Sequence, residues 1–253
     1  LTVLAGGGKE KIGNLKAHCP SIDILGINSY GPAAQVNTML DDAGWKKAYM
    51  LTEFGPRGPW EILHTPWGAP VEPRSGEKIA SYVSAHRSAL ADVHGRCLGT
   101  FCFLWGNKQE ATSTWFGMHL PTGEKTPAVD AMAYEFTGRW PANRSPQIHS
   151  FKSALALDRV PAGREFTATV ETSDPEKDGL TYEWQVVAES RDRKSGGDRE
   201  EAPPVVSGCI IGPVGAKVTV RTPDKPGAYR LFVFVRDGHG GGCTENLPFF
   251  VQP

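Results

Sequence analysis

Three short stretches end in side chains for which a folded core has no use. YMLTEFG delivers Glu53 and runs directly into the breaker-rich GPRGPWE. IDILGINSYG carries Asn28 and Tyr30 at its end. GTFCFLWG delivers Trp105, followed by Asn107, Lys108, Gln109 and Glu110. These residue types suit glycosyl transfer. A carboxylate can attack an anomeric carbon, with a second carboxylate about 5–5.5 Å away as acid/base. A tyrosine hydroxyl bonded to the first carboxylate would orient it and favour its charged form. An indole face would pack on the sugar ring. The plainer alternative is that Glu53 caps the next helix or pairs with Arg57.

The elements that must position these residues follow from periodicity. LTVLA reads as a strand. KEKIGNLKAHCP reads as a helix with Ile12, Leu15 and Cys19 on one face, stopped by Pro20. The run ending in Tyr30 is a second strand, and a short helix is predicted around Val36 to Ala43. AYMLTEFG is a third strand. After a Gly/Pro/Trp loop comes an amphipathic helix with Ile79, Tyr82, Val83, His86, Leu90 and Val93 on one face. GTFCFLWG reads as a fourth, buried strand, and Pro127 opens a helix that ends near Gly138. This βαβαβαβα order predicts a parallel sheet covered by helices, whose strand ends at the C-terminal side share one pocket. GGGKEK lacks the spacing of a dinucleotide-binding turn.

Beyond residue 140 the helical period disappears. The segment 141–149 reads as a linker. From 150 to 253, EFTATVET, LTYEWQVV, AKVTVRT and YRLFVFVRD alternate with period two between turn signals such as DPEKDG and PDKPG. This predicts an antiparallel sandwich of immunoglobulin type. The charged insert 189–203 reads as a solvated hairpin loop.

A formal net charge of −1 gives no basic excess for nucleic acid or anionic membranes, and no apolar run reaches the roughly 18 residues of a membrane span. The five cysteines lack metal-like spacing. Cys19, Cys97 and Cys102 read as buried free thiols, whereas Cys209 and Cys243 are open to either a disulfide or two thiols. His64 and His119 have no further ligands at usual spacing, so neither a metal nor an organic cofactor is predicted. The chain begins in a strand, without Met or a signal-like basic region. It reads as a processed product, an expressed piece or an open-ended fragment.

The order INSYG, TEFGPRGPWE and a strand ending in Trp resembles the last four units of a clan GH-A (β/α)8 glycosidase barrel. Glycoside hydrolase family 2 is the most similar. The resemblance covers residues 1–140. It implies strands five to eight of the barrel, with Glu53 as nucleophile and Tyr30 orienting it. Asn28 and Trp105 would shape the sugar subsite. By their place in the loops after the third and fourth strands, Trp60, Trp67, Lys108, Glu110 and Trp115 are candidates to line the same cleft, with the alternative that Trp60 and Trp67 staple a Pro-rich loop down. The family's acid/base glutamate, after an Asn at the end of the fourth strand, has no matching position. Glu110 reads instead as a partner of Lys108. SDPEKDGLTYEWQV is similar to modules of the polycystic-kidney-disease type, with Tyr182 and Trp184 after an acidic turn. That resemblance implies a spacer more readily than a sugar binder.

The reading is therefore a retaining glycoside hydrolase acting on β-linked oligo- or polysaccharides. The resemblance implies a secreted or periplasmic location. Open edges on a half barrel predict either self-association or a place in a longer enzyme. Two rivals share the same residues: a non-catalytic carbohydrate-binding or cell-surface protein, and a β-glucan endo-hydrolase or transglycosylase of the same clan.

Overall fold

Four short aliphatic strands form the first sheet: Thr2–Ala5 (β1), Ile24–Asn28 (β2), Ala48–Phe54 (β3) and Cys97–Cys102 (β4). The computed structural model describes residues 1–194 and 197–252. The sheet order is β1-β2-β3-β4, and every neighbouring pair is parallel. A parallel pair needs a crossover. The crossovers contain Lys9–His18 (α1), Val36–Asp42 (α2) and Ser75–Leu90 (α3), and Pro127–Thr137 (α4) follows β4. Pro127 supplies a preset first turn, and Gly138, at φ 71°, closes α4 in a left-handed cap that donates to the Tyr134 carbonyl at 2.7 Å.

Leu25, Ile27, Tyr49, Leu51 and Phe54 from the central strands are buried against Ile12, Leu40, Tyr82, Ala85, Ala89 and Met132 from the helices. The edge strands depart from the fully buried expectation. Val3, Leu98 and Phe101 are exposed. They alternate with helix-facing neighbours, so they mark the other face of the sheet. Leu90 and Val93 also fall outside the predicted buried face and are exposed. α3 stops at Leu90, and its buried positions are Tyr82, Ala85, His86 and Ala89.

Residues 147–252 form two four-stranded sheets. One has the order β5-β7-β10-β9: Gln147–Ser153 (β5), Glu165–Ser173 (β7), Lys217–Arg221 (β10) and Ile210–Ile211 (β9). The other has the order β6-β12-β11-β8: Arg159–Pro161 (β6), Gly242–Gln252 (β12), Gly227–Arg236 (β11) and Thr181–Ala188 (β8). Their facing sides enclose Phe151, Trp184, Leu231, Val233, Val235 and Phe249. β5 starts at Gln147, within the segment expected to be a linker. Cys209 and Cys243 are buried free thiols, and Cys19 is exposed rather than buried.

YRLFVFVR in β11 reads as nearly continuous because both of its faces are covered. Tyr229, Leu231, Val233 and Val235 enter the sandwich core. Arg230, Phe232 and Phe234, also buried, face the loops that follow β3 and β4. Buried polar groups fasten this contact, as burial requires. Glu72 accepts from Lys78 at 2.5 Å, Thr112 at 2.6 Å, Thr114 at 2.9 Å and Asn246 of β12 at 2.6 Å. Burial alone would raise the Glu72 pKa; Lys78 and the hydroxyl donors outweigh it and hold the carboxyl below its usual value. Glu245 accepts from the Ser75 backbone N–H at the start of α3 at 3.3 Å. The insert 189–203 is not a free hairpin. Glu200 is buried and accepts from the backbone N–H of Ala111 at 2.7 Å. Residues 195 and 196 of this insert lie outside the described residues.

Candidate active site at the strand ends

A strictly alternating β3 would turn Glu53 toward the helices, beside Leu51. Pairing with β2 shows why it does not. Ile27 lies opposite Leu51, but Asn28 lies opposite Glu53, so β3 holds one extra residue there. Leu51 and Phe54 are both fully buried, and Thr52 and Glu53 between them are half-buried. The bulge spares the core a charge and re-aims the carboxylate at the strand end, a common use of bulges. The Ser29 N–H bonds the Glu53 carbonyl at 2.8 Å, and the Thr52 hydroxyl donates to Asn28 Oδ1 at 2.7 Å.

Tyr30 Oη donates to Glu53 Oε2 at 2.9 Å. The Tyr30 ring is held by Trp60 (5.7 Å between centroids, 86°), Phe103 (5.8 Å, 85°) and Phe116 (5.1 Å, 49°). Burial first, then the charge of Glu53 and its hydrogen bond, push the Tyr30 pKa far up, so the phenol remains a neutral donor. Glu110 also adds its negative charge to this effect.

The sequence-derived residues divide in the structure. Asn28, Tyr30 and Glu53 come together. Trp60 touches Tyr30 and is 60% exposed. Trp105 is 70% exposed with its ring 4.9 Å from His119; burial lowers the pKa of that histidine. β4 ends at Cys102, so Trp105 stands in the following loop rather than at the strand tip. Lys108 pairs with Glu110 at 3.0 Å and donates to the Gly197 carbonyl at 2.7 Å.

Two tryptophans do not line a cleft. Trp115 has no exposed surface, and its Nε1 donates to the Arg57 carbonyl at 2.9 Å, so it fastens the loop after β3. Trp67 packs on Phe250 at 5.8 Å with Arg159 over its ring, on the sandwich side. Both serve as large apolar anchors, which sequence does not distinguish from sugar platforms.

Glu61 was not singled out in the sequence. Its Oε2 accepts from the backbone N–H groups of Gly31 and Gly58, each at 2.9 Å. One carboxylate thus clips the turn after β2, directly beyond Tyr30, to the turn after β3. Its place among turn glycines in GPWE was the only sequence signal. Gly55 allows another close approach: a Cβ there would lie 2.7 Å from the Phe103 carbonyl oxygen. Among the described residues, no group of three His, Cys, Asp or Glu side chains gathers to hold a metal ion. Among the same described residues, no helix is long and apolar enough to cross a membrane.

No family model matches the chain, and no curated protein matches it. Among solved structures, β-glucuronidase 2 of Bacteroides uniformis is similar over 99% of this chain and 28% of its own, at 13% identity and a TM-score of 0.35. This chain thus spans little more than a quarter of that one. A nucleoside hydrolase-related protein of Saccharophagus degradans, associated with carbohydrate metabolism, aligns over 97% of this chain and 74% of its own, at 14% identity and a TM-score of 0.33. A PKD domain of an M14-like peptidase from a Thermoplasmatales archaeon covers 44% of this chain and 100% of its own, at 20% identity and a TM-score of 0.29. Likenesses this distant carry no argument about chemistry, which rests on the residues themselves.

Proposed function

We propose that this chain belongs to a retaining glycoside hydrolase acting on β-linked saccharides. Glu53 is the nucleophile and Tyr30 orients it. The observation that carries the reading is the 2.9 Å hydrogen bond from Tyr30 to Glu53, between the ends of adjacent parallel strands. Glu53 attacks the anomeric carbon as the leaving oxygen departs, giving a glycosyl-enzyme ester that water then hydrolyses. Asn28 shapes the sugar subsite, and the exposed Trp60 and Trp105 offer indole faces to the substrate. The acid/base carboxylate is not assigned within this chain, because Glu110 is held by Lys108. The parallel order β1-β2-β3-β4, with helices between the strands, supports a (β/α)8-type arrangement over residues 1–140, followed by an immunoglobulin-like module. A secreted or periplasmic location goes with this reading.

The test is mass spectrometry after incubation with a panel of activated 2-fluoro glycosides, followed by peptide mapping. An adduct on Glu53, absent from Glu53→Gln, is expected. A folded protein that binds oligosaccharide but forms no adduct would favour the carbohydrate-binding reading, for which the exposed Trp60 and Trp105 are the supporting observation.

A further inference from the structure

A cleft of about 230 Å³ lies where the outer face of β8 and β11 meets the loop after β4 and the end of the 189–205 segment. It contains neither Glu53 nor Tyr30. We propose that this cleft binds a single neutral sugar ring, as a site separate from the strand-end carboxylate. The inference does not rest on the hydrolase reading.

One side of the cleft is apolar. Val187, Phe232 and Phe234 line it, the two phenyl planes lying within 6° of parallel with centroids 6.0 Å apart. The other side is polar, and around it three guanidiniums meet three carboxylates: Arg236 pairs with Glu124 and Glu183, while Arg230 and Arg193 share Glu189. Arg236 bonds Glu124 and Glu183, each at 2.9 Å, and the Thr122 hydroxyl at 3.1 Å. Glu183 also accepts from the Gln185 amide at 2.5 Å. With these charges mutually compensated, an anion would face Glu183 and a cation Arg236, and neither would find a free counter-charge.

Gln109, on the cleft wall, has a buried amide nitrogen with no hydrogen-bond partner among the described residues. A buried donor left unpaired costs free energy, and a ligand oxygen reached by a small rotation of the amide would satisfy it. A purely apolar guest would leave it unpaired. A pyranose combines an apolar C–H face for the phenyl rings with hydroxyls for the Gln109 and Gln185 amides. The volume equals that of roughly eight waters at about 30 Å³ each, too large for ordinary interior packing and below the roughly 300 Å³ where larger ligand pockets begin. One ring fits, and a chain does not.

The experiment is titration of the protein with the methyl glycosides of glucose, galactose, mannose and xylose, followed by saturation-transfer NMR. The tightest probe is then measured on three folded variants. Gln109→Leu removes the amide and Val187→Phe fills the apolar side. Each is expected to weaken binding by about tenfold or more, the value of one buried hydrogen bond or contact. Glu53→Gln is expected to leave the affinity unchanged, which separates this site from the proposed nucleophile. If Val187→Phe fails to fold, Gln109→Leu decides. Three results would overturn the proposal: no probe binding at millimolar concentration, unchanged affinity in Gln109→Leu, or loss of binding in Glu53→Gln.

Discussion

Replacing Arg230 by Met tests whether the sandwich and the loops of the candidate site form one cooperative unit. Arg230 is 2% exposed. Its guanidinium holds both oxygens of Glu189, at 2.7 and 3.0 Å, Asn246 Oδ1 at 2.8 Å, and the Pro70 carbonyl at 2.5 Å. Those partners lie beyond β8, on β12 and in the loop after β3. Removing one member of a buried ion pair costs about 3–5 kcal/mol, mainly because the partner remains buried and charged. Arg193 also reaches Glu189, at 2.9 Å, and remains in the variant, which places the loss at the lower end, about 3 kcal/mol. For a chain of this size that lowers Tm by roughly 6–12 °C. Against a total stability of about 5–15 kcal/mol it is a large fraction. Scanning calorimetry and urea unfolding would measure it. Arg230→Met/Glu189→Leu should regain much of the loss, since exchanging a whole buried pair for apolar groups is often neutral. A loss under about 1 kcal/mol, or a double variant as unstable as the sum of the singles, would refute this account of the contact.

Tyr30→Phe removes the donor to Glu53 while keeping the ring among Trp60, Phe103 and Phe116; a charged hydrogen bond of about 1.5–3 kcal/mol predicts a roughly ten- to hundredfold fall in kcat, with the fold retained and Tm lowered by no more than the roughly 3–12 °C that the lost bond itself costs. Hydrogen bonds from the Arg96 side chain, acting against burial, hold the Asp92 carboxyl down at about 2. Because that folded-state value is depressed, the stabilisation is complete above about pH 4 and is lost as pH falls toward about 2. Urea midpoints measured across that window should fall less steeply for Asp92→Asn than for the parent. Glu61→Ala frees the Gly31 and Gly58 N–H groups, and hydrogen exchange at those two amides should accelerate selectively.

Periodicity alone was enough for the alternation of strands and helices up to Gly138 and for the two-residue rhythm beyond it. Glu53 was also legible, because a charge after an apolar run and before Gly-Pro has no local structural use. Its approach to Tyr30 was expected from the resemblance, yet the position of the carboxylate depends on the bulge at Thr52. A bulge exists only between paired strands, so no single strand announces it. Cys102 as the end of β4, and Leu90 and Val93 as solvent-facing residues, were hidden because an apolar residue reads alike whether it is covered or bare. For Trp67 and Trp115 the choice between cleft and anchor stayed open for a related reason: an indole suits a sugar as well as it suits a neighbouring sheet. Nothing in the local sequence marks Arg230 or Glu72 as buried. Their burial was decided by partners more than a hundred residues away, Pro70 for one and Asn246 for the other. Local pattern therefore determined which elements form and which carboxylate stands at a strand tip. Tertiary packing decided which side chains surround that carboxylate, because burial and pairing depend on surfaces that no local stretch of sequence contains.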